Sequence, residues 1–185
     1  TGRCMTVKTV SAEEATAKLG AFDTVIDVRS PAEYADDHLP GAVNWPVLDN
    51  DERREVGTEY KQVSAFDARK HGAAIVARRV AEIVERHVHD KQREWQPLVY
   101  CWRGGSRSGA LVHVLRQVGW DALQVEGGYK AFRRQVAADL EVMPARLAFR
   151  VVCSATGSGK SRLLEALATT RAQVLDLEVL AAHRG

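Results

Sequence analysis

The sequence predicts an α/β fold: a mostly parallel sheet flanked by helices, followed by the truncated start of a second α/β unit. Three observations carry this. Short apolar runs at 24–28, 98–101 and 122–125 alternate with stretches of helical spacing, the order that sets parallel strands beneath crossover helices. The middle run ends on Cys101 and opens into a loop of glycines and arginines, so a reactive group stands where such sheets place their sites, at the carboxyl end of a strand. A further apolar run, 147–153, leads through Ser154-Ala155-Thr156-Gly157-Ser158-Gly159-Lys160-Ser161 into another helical stretch, so the pattern restarts after Met143-Pro144.

Taken in order, Ser11-Ala12-Glu13-Glu14 sets a capping serine three residues before a glutamate and predicts a helix over 11–19. Thr24-Val25-Ile26-Asp27-Val28 reads as a short buried strand. Pro31 suits the first turn of a helix reaching Asp37. Leu39-Pro40-Gly41-Ala42 is a turn and Val43-Asn44-Trp45 an extended piece. Residues 50–96 are polar and mostly helical, best patterned over 73–88, where Ile75, Val76, Val80, Ile83, Val84 and Val88 form an apolar stripe. Strand 98–101, the glycine loop and a helix over 106–118 follow, with Gly119 placed to end it. Strand 122–125 stops at Gly127-Gly128, and 129–140 is helical. The second unit should hold a strand at 147–153, a helix at 162–168 and a strand at 173–176.

Composition narrows the function. With 185 residues, 45% of them hydrophobic, the chain can bury one full core and part of another. No run is long enough to span a membrane, and no charged-then-apolar leader opens the chain. Cys4, Cys101 and Cys153 lie far apart without a Cys-x-x-Cys pair, which argues against a disulfide framework and a zinc site and fits a reducing cytoplasm. The six histidines are dispersed, so no metal site is expected. A net charge of +2 does not by itself announce nucleic acid. The clusters Arg53-Arg54, Arg69-Lys70, Arg78-Arg79 and Arg133-Arg134 have acidic neighbours and read as solvated helix surface.

The chemistry centres on Cys101. A strand ending there and a helix starting near Ser106 would wrap Trp102, Arg103, Gly104, Gly105, Ser106 and Arg107 around the sulfur. Inward N–H groups then form an anion-binding bowl. Gly104 and Gly105 would supply dihedrals that a side chain forbids. Arg103 and Arg107 add positive charge, so the sulfur should be a thiolate near neutral pH, and the same two guanidinium groups could hold an anionic donor. Asp27 and Arg29, closing a neighbouring strand, either brace that loop or form a purely structural ion pair. Trp102 either stacks on a base or packs against its own loop.

The second motif is the functional end of a Walker A loop. Backbone N–H groups of Gly157, Ser158 and Gly159 would cradle phosphate, Lys160 would neutralise it, and Ser161 could hold Mg²⁺. Ser154 stands where the full pattern has glycine. Asp176 is either part of the Mg²⁺ shell or an ordinary strand-end carboxylate.

Together these motifs resemble a known family. Val25-Ile26-Asp27-Val28-Arg29, Glu33-Tyr34, His38-Leu39-Pro40-Gly41-Ala42-Val43-Asn44, the Cys101 loop and Val125-Glu126-Gly127-Gly128-Tyr129 follow the rhodanese pattern in order. One branch, the bacterial tRNA 2-selenouridine synthases, is similar in further detail: Asn50 through Thr58 with Tyr60-Lys61-Gln62, Cys101 through Ser108, Glu126 through Ala131, and a P-loop segment with Asp176-Leu177-Glu178 and His183-Arg184-Gly185. The resemblance implies a rhodanese-like domain over 6–141 and the incomplete start of a P-loop nucleotide-binding-like domain over 145–185. It implies replacement of the sulfur of wobble 2-thiouridine in tRNA by selenium. Selenophosphate would be the donor, a selenophosphate-supplying enzyme a partner, and geranyl diphosphate the source of a geranylated intermediate, with no tightly bound cofactor. Cys101 would be the nucleophile and Gly157 to Ser161 the phosphate loop.

Three rivals stay open. Cys101-x5-Arg107-Ser108 has the form of the cysteine phosphatase signature, which would need a general acid such as Asp36 or His38. A simple thiosulfate sulfurtransferase would need only the Cys101 loop. A P-loop binding module would leave Cys101 silent.

Overall fold

A computed structural model describes residues 8–155 and 157–180, so Cys4, Thr156 and His183-Arg184-Gly185 lie outside the described residues. The chain divides into two compact units between Val142 and Met143.

The first unit holds five parallel strands: β1 (Thr9–Val10), β2 (Thr24–Asp27), β3 (Val43–Asn44), β4 (Pro97–Tyr100) and β5 (Leu123–Val125), in the order β1-β5-β4-β2-β3. Its helices are α1 (Ala12–Ala17), α2 (Pro31–Asp36), α3 (Asn50–Gln62), α4 (Ala65–His87), α5 (Ser106–Val118) and α6 (Gly128–Val142). β4 is central, paired on one side with β2 and on the other with β5. It is buried along its whole length, which explains why its residues read as a continuous apolar run.

Side chains along β4 alternate between two cores. Val99 joins Ile26, Val80, Ile83, Leu111 and Leu115 beneath α4 and α5. Leu98 and Tyr100 join Val10, Ala15, Val125, Tyr129 and Phe132 beneath α1 and α6. The expected stripe on α4 is the face that does this: Ile75, Val80 and Ile83 are buried.

Local signals set the boundaries. Ser11 caps α1 by accepting from the Glu14 N–H. Two reciprocal capping boxes, Ser30 with Glu33 and Asp49 with Glu52, start α2 and α3. Gly119 ends α5 with φ of 121°. β1 spans only two residues, too short to stand out from a sequence pattern.

The second unit departs from expectation. Its helices are α7 (Lys160–Ala168) and α8 (Leu177–Leu180), after a 3₁₀ turn at Met143–Arg146. Neither 147–153 nor 173–176 forms a strand. A parallel strand persists only when hydrogen-bonded to a neighbour, and among the described residues neither segment has one. Val151, expected in a buried strand, is 81% exposed. Asp176 is not a strand end: its carboxylate accepts from the Val179 N–H and caps α8. Among the described residues no helix is long and apolar enough to cross a membrane.

Candidate active site

Cys101 follows the last residue of the central strand and lies at the carboxyl edge of the sheet. The chain turns there because two glycines permit backbones to touch. Gly104 has φ of 64°, and a Cβ on it would lie 2.6 Å from the Val125 carbonyl oxygen. Gly128 has φ of 59°, and a Cβ there would lie 2.2 Å from the Cys101 carbonyl oxygen. This close approach lets the start of α6 hold the loop, with Tyr129 N–H donating to Cys101 O (2.9 Å) and Lys130 N–H to Trp102 O (3.1 Å). Gly105, expected to share the special dihedrals, has φ of −98° and no atom within 4 Å of its Cβ direction. Its contribution is its N–H.

That N–H donates to the Cys101 sulfur at 3.3 Å, and the Ser108 hydroxyl donates to it at 3.1 Å. Burial pushes the thiol up. The Ser108 hydroxyl, the Arg107 charge and the backbone N–H groups of Ser108 and Gly105 outweigh it, leaving the thiol below its ordinary range. Ser108 is a functional residue that the motif alone does not single out; its place two residues after Ser106, in the first turn of the helix that follows the Cys101 loop, is the signal the sequence offers. Of the two arginines, Arg107 is the one that acts on the sulfur. It is tethered to Glu33 at 3.0 Å, and burial of Glu33 is outweighed by Arg107, so that carboxyl titrates below its usual range. Arg103 is exposed at the cavity edge.

Asp27 and Arg29 are a buried ion pair, 2.7 Å apart, and Asp27 also accepts from the Arg29 N–H. Arg29 extends to the Asp37 carbonyl (2.6 Å) and lies 4.0 Å from the Tyr129 ring centre. The Tyr129 hydroxyl in turn donates to the Asp37 carboxylate. The buried pair thus reaches the Cys101 turn through Tyr129, whose N–H donates to the Cys101 carbonyl. Trp102 is half-buried against Tyr129, 5.5 Å between ring centres, and also lines the cavity.

Although Cys101 is only 3% exposed, it forms part of the wall of a cavity of about 780 Å³. Its lining mixes apolar Val56, Ala73, Val76 and Ala110 with basic Arg53, Lys61, Arg69, Arg103 and Arg107. Gly72 lets α4 pass close to α3, where a Cβ would press on the Val56 side chain at 3.2 Å. Arg53 and the exposed Arg69, expected as solvated helix surface, also border this cavity. Asp36 and His38, the general acids a phosphatase would use, are not among its lining residues. His38 instead stacks on Tyr34 and faces its carbonyl.

In the second unit, Gly157 and Gly159 take φ of 82° and 84°, and Gly159 precedes α7 in the left-handed conformation. Lys160 Nζ donates to the carbonyls of Ser154 (2.9 Å) and Ala155 (3.0 Å), folding over the loop. The Ser154 hydroxyl is bonded to that of Ser158. Ser161 follows in the first turn of α7.

Comparison with known proteins agrees with this geometry. A rhodanese-like domain family matches residues 11–135. The chain is 35% identical over 184 residues to the tRNA 2-selenouridine synthase of Nitrosomonas europaea, covering 95% of this chain and 46% of that protein. It is 39% identical over 181 residues to the enzyme of the same name from Cronobacter sakazakii, covering 94% and 45%. The chain therefore spans about half the length of the curated relatives it matches. Among solved structures, the N-terminal domain of a protein described as ATP/GTP binding from Clostridium difficile 630 covers 70% of this chain and 98% of its own, at 35% identity and a TM-score of 0.58. The chain belongs to the rhodanese-like domain family, and over nearly its whole length it resembles the tRNA 2-selenouridine synthases.

Proposed function

We propose that this chain carries the sulfur/selenium transfer centre of a tRNA 2-selenouridine synthase, a cytoplasmic enzyme that replaces the sulfur of wobble 2-thiouridine by selenium. The observation that carries the reading is a sulfur held below the ordinary thiol range in the wall of a cavity lined by both apolar and basic side chains. Cys101 is the nucleophile. The donors that stabilise a thiolate serve equally for a persulfide or selenenyl-sulfide anion carried on that residue. Arg107 and the exposed Arg103 suit the oxygens of selenophosphate, the donor, which a separate enzyme supplies. The apolar wall of Val56, Ala73 and Val76 suits the prenyl chain of geranyl diphosphate, and Arg53, Lys61 and Arg69 suit its diphosphate. Gly157 to Ser161 form the phosphate loop. Their positive-φ glycines, folded lysine and following helix fit a phosphate with Mg²⁺ on the Ser161 hydroxyl.

The test is incubation of the protein with 2-thiouridine tRNA, geranyl diphosphate and selenophosphate, followed by mass analysis of the nucleosides. Selenouridine, absent with Cys101→Ala at unchanged thermal stability, is the expected result. Transfer that survives Cys101→Ala overturns the assignment. Release of phosphate from an aryl phosphate, lost with Cys101→Ser, would favour the phosphatase instead.

A further inference from the structure

β5 carries one polar side chain, Gln124, between half-buried Leu123 and buried Val125. It lies beside Val99 in the register of β4 and β5, one strand away from the nucleophile, and is 4% exposed. Its side-chain amide is not spare. Nε2 donates to the Ser108 hydroxyl oxygen at 2.7 Å and to the Gly105 carbonyl at 3.0 Å.

The Ser108 hydroxyl has a single proton and two acceptors within reach, the Cys101 sulfur at 3.1 Å and the Gly105 carbonyl at 3.3 Å. An amide nitrogen has two N–H groups. Here one satisfies the Gly105 carbonyl, and the other occupies a lone pair of the Ser108 oxygen. The serine proton is thereby left to the sulfur. We infer that Gln124 is a positioning residue for the nucleophile, steering the Ser108 hydroxyl onto Cys101 from the neighbouring strand. It touches neither substrate nor sulfur. The amide orientation is fixed by the same network, because Oε1 turned inward would face the Gly105 carbonyl and take the serine proton from the sulfur.

This inference rests on Cys101 as the nucleophile only for its catalytic consequence; the experiment reads the sulfur without any turnover. The rate of Cys101 alkylation by iodoacetamide is followed against pH, with thermal unfolding measured alongside. A hydrogen bond to a charged group has a net value that corresponds to about ten-fold or more in the ionised fraction. Ser108→Ala should therefore slow alkylation about ten-fold below the midpoint, and Gln124→Met should reproduce most of that loss. The double variant should be no slower than Ser108→Ala, because both changes remove one interaction. Gln124→Glu keeps the shape of the side chain should the methionine fail to fold. Charged or neutral, it has at most one donor where the amide has two, and it should also slow alkylation. A Gln124→Met or Gln124→Glu profile superimposed on the unaltered protein, or additive losses in the double variant, would overturn the inference. Selenium transfer absent from the unaltered protein, or surviving Cys101→Ala, while the alkylation profiles behave as expected would count against the proposed function and not against the relay.

Discussion

At the residue scale the decisive competition is over one proton. Burial favours the neutral thiol, while a hydroxyl, a guanidinium and two amides favour the anion and prevail. Because folding lowers this pKa, the ionised sulfur stabilises the native state above the pKa of a free thiol. That contribution fades as the pH falls through the lowered native value. The stability of the unaltered protein relative to Cys101→Ala should therefore grow as the pH rises towards 9, measured by urea midpoints across the range. A flat difference would mean that folding leaves the thiol pKa unchanged. The two arginines separate in the same way. Arg107→Met should slow alkylation below the midpoint about ten-fold, whereas Arg103→Met should change it far less while weakening the binding of an anionic donor. Equal losses in both variants would return to the simpler expectation that the arginines act alike.

At the scale of elements, the site is a meeting of three backbones rather than a loop alone. The Cys101 turn is closed by the start of α6 through the Tyr129 and Lys130 N–H groups, an approach that Gly104 and Gly128 together make possible. Gly128→Ala should cost about 2–4 kcal/mol in thermal or urea unfolding, from a positive φ together with a clash against backbone that has no room to yield. Gly105→Ala should cost under 1 kcal/mol, a difference no reading of paired glycines would foresee. What was legible in the sequence follows the same division. The strand into Cys101, the helix starting at Ser106 and its end at Gly119 are local features, set by apolar runs and glycine punctuation, and they stand where the sequence put them. Contacts between segments distant along the chain were not legible. Gln124 on Ser108, Glu33 on Arg107 and the basic side chains of α3 and α4 facing the cavity depend on topology. The unformed strands at 147–153 and 173–176 show the converse, an apolar pattern without neighbours to pair with.

At the scale of the whole molecule, the Cys101 centre is assembled entirely within the first unit, from residues 27 to 129. A chain of residues 8–142 should fold alone and keep the alkylation profile of the full chain, and Lys160→Ala in the full chain should leave that profile unchanged. Lys160→Ala should instead reduce retention on a phosphate-bearing matrix, and undiminished retention would show that the loop binds no phosphate. Within the first unit there is a second separation. Among the described residues the donors to the sulfur come from residues 105–108, while much of the cavity wall belongs to the α3–α4 pair, which donates nothing to it. Selectivity and reactivity thus have different addresses. Descendants of this fold could exchange one helical wall for another, admitting new guests, while the same chemical blade stays sharp beneath them.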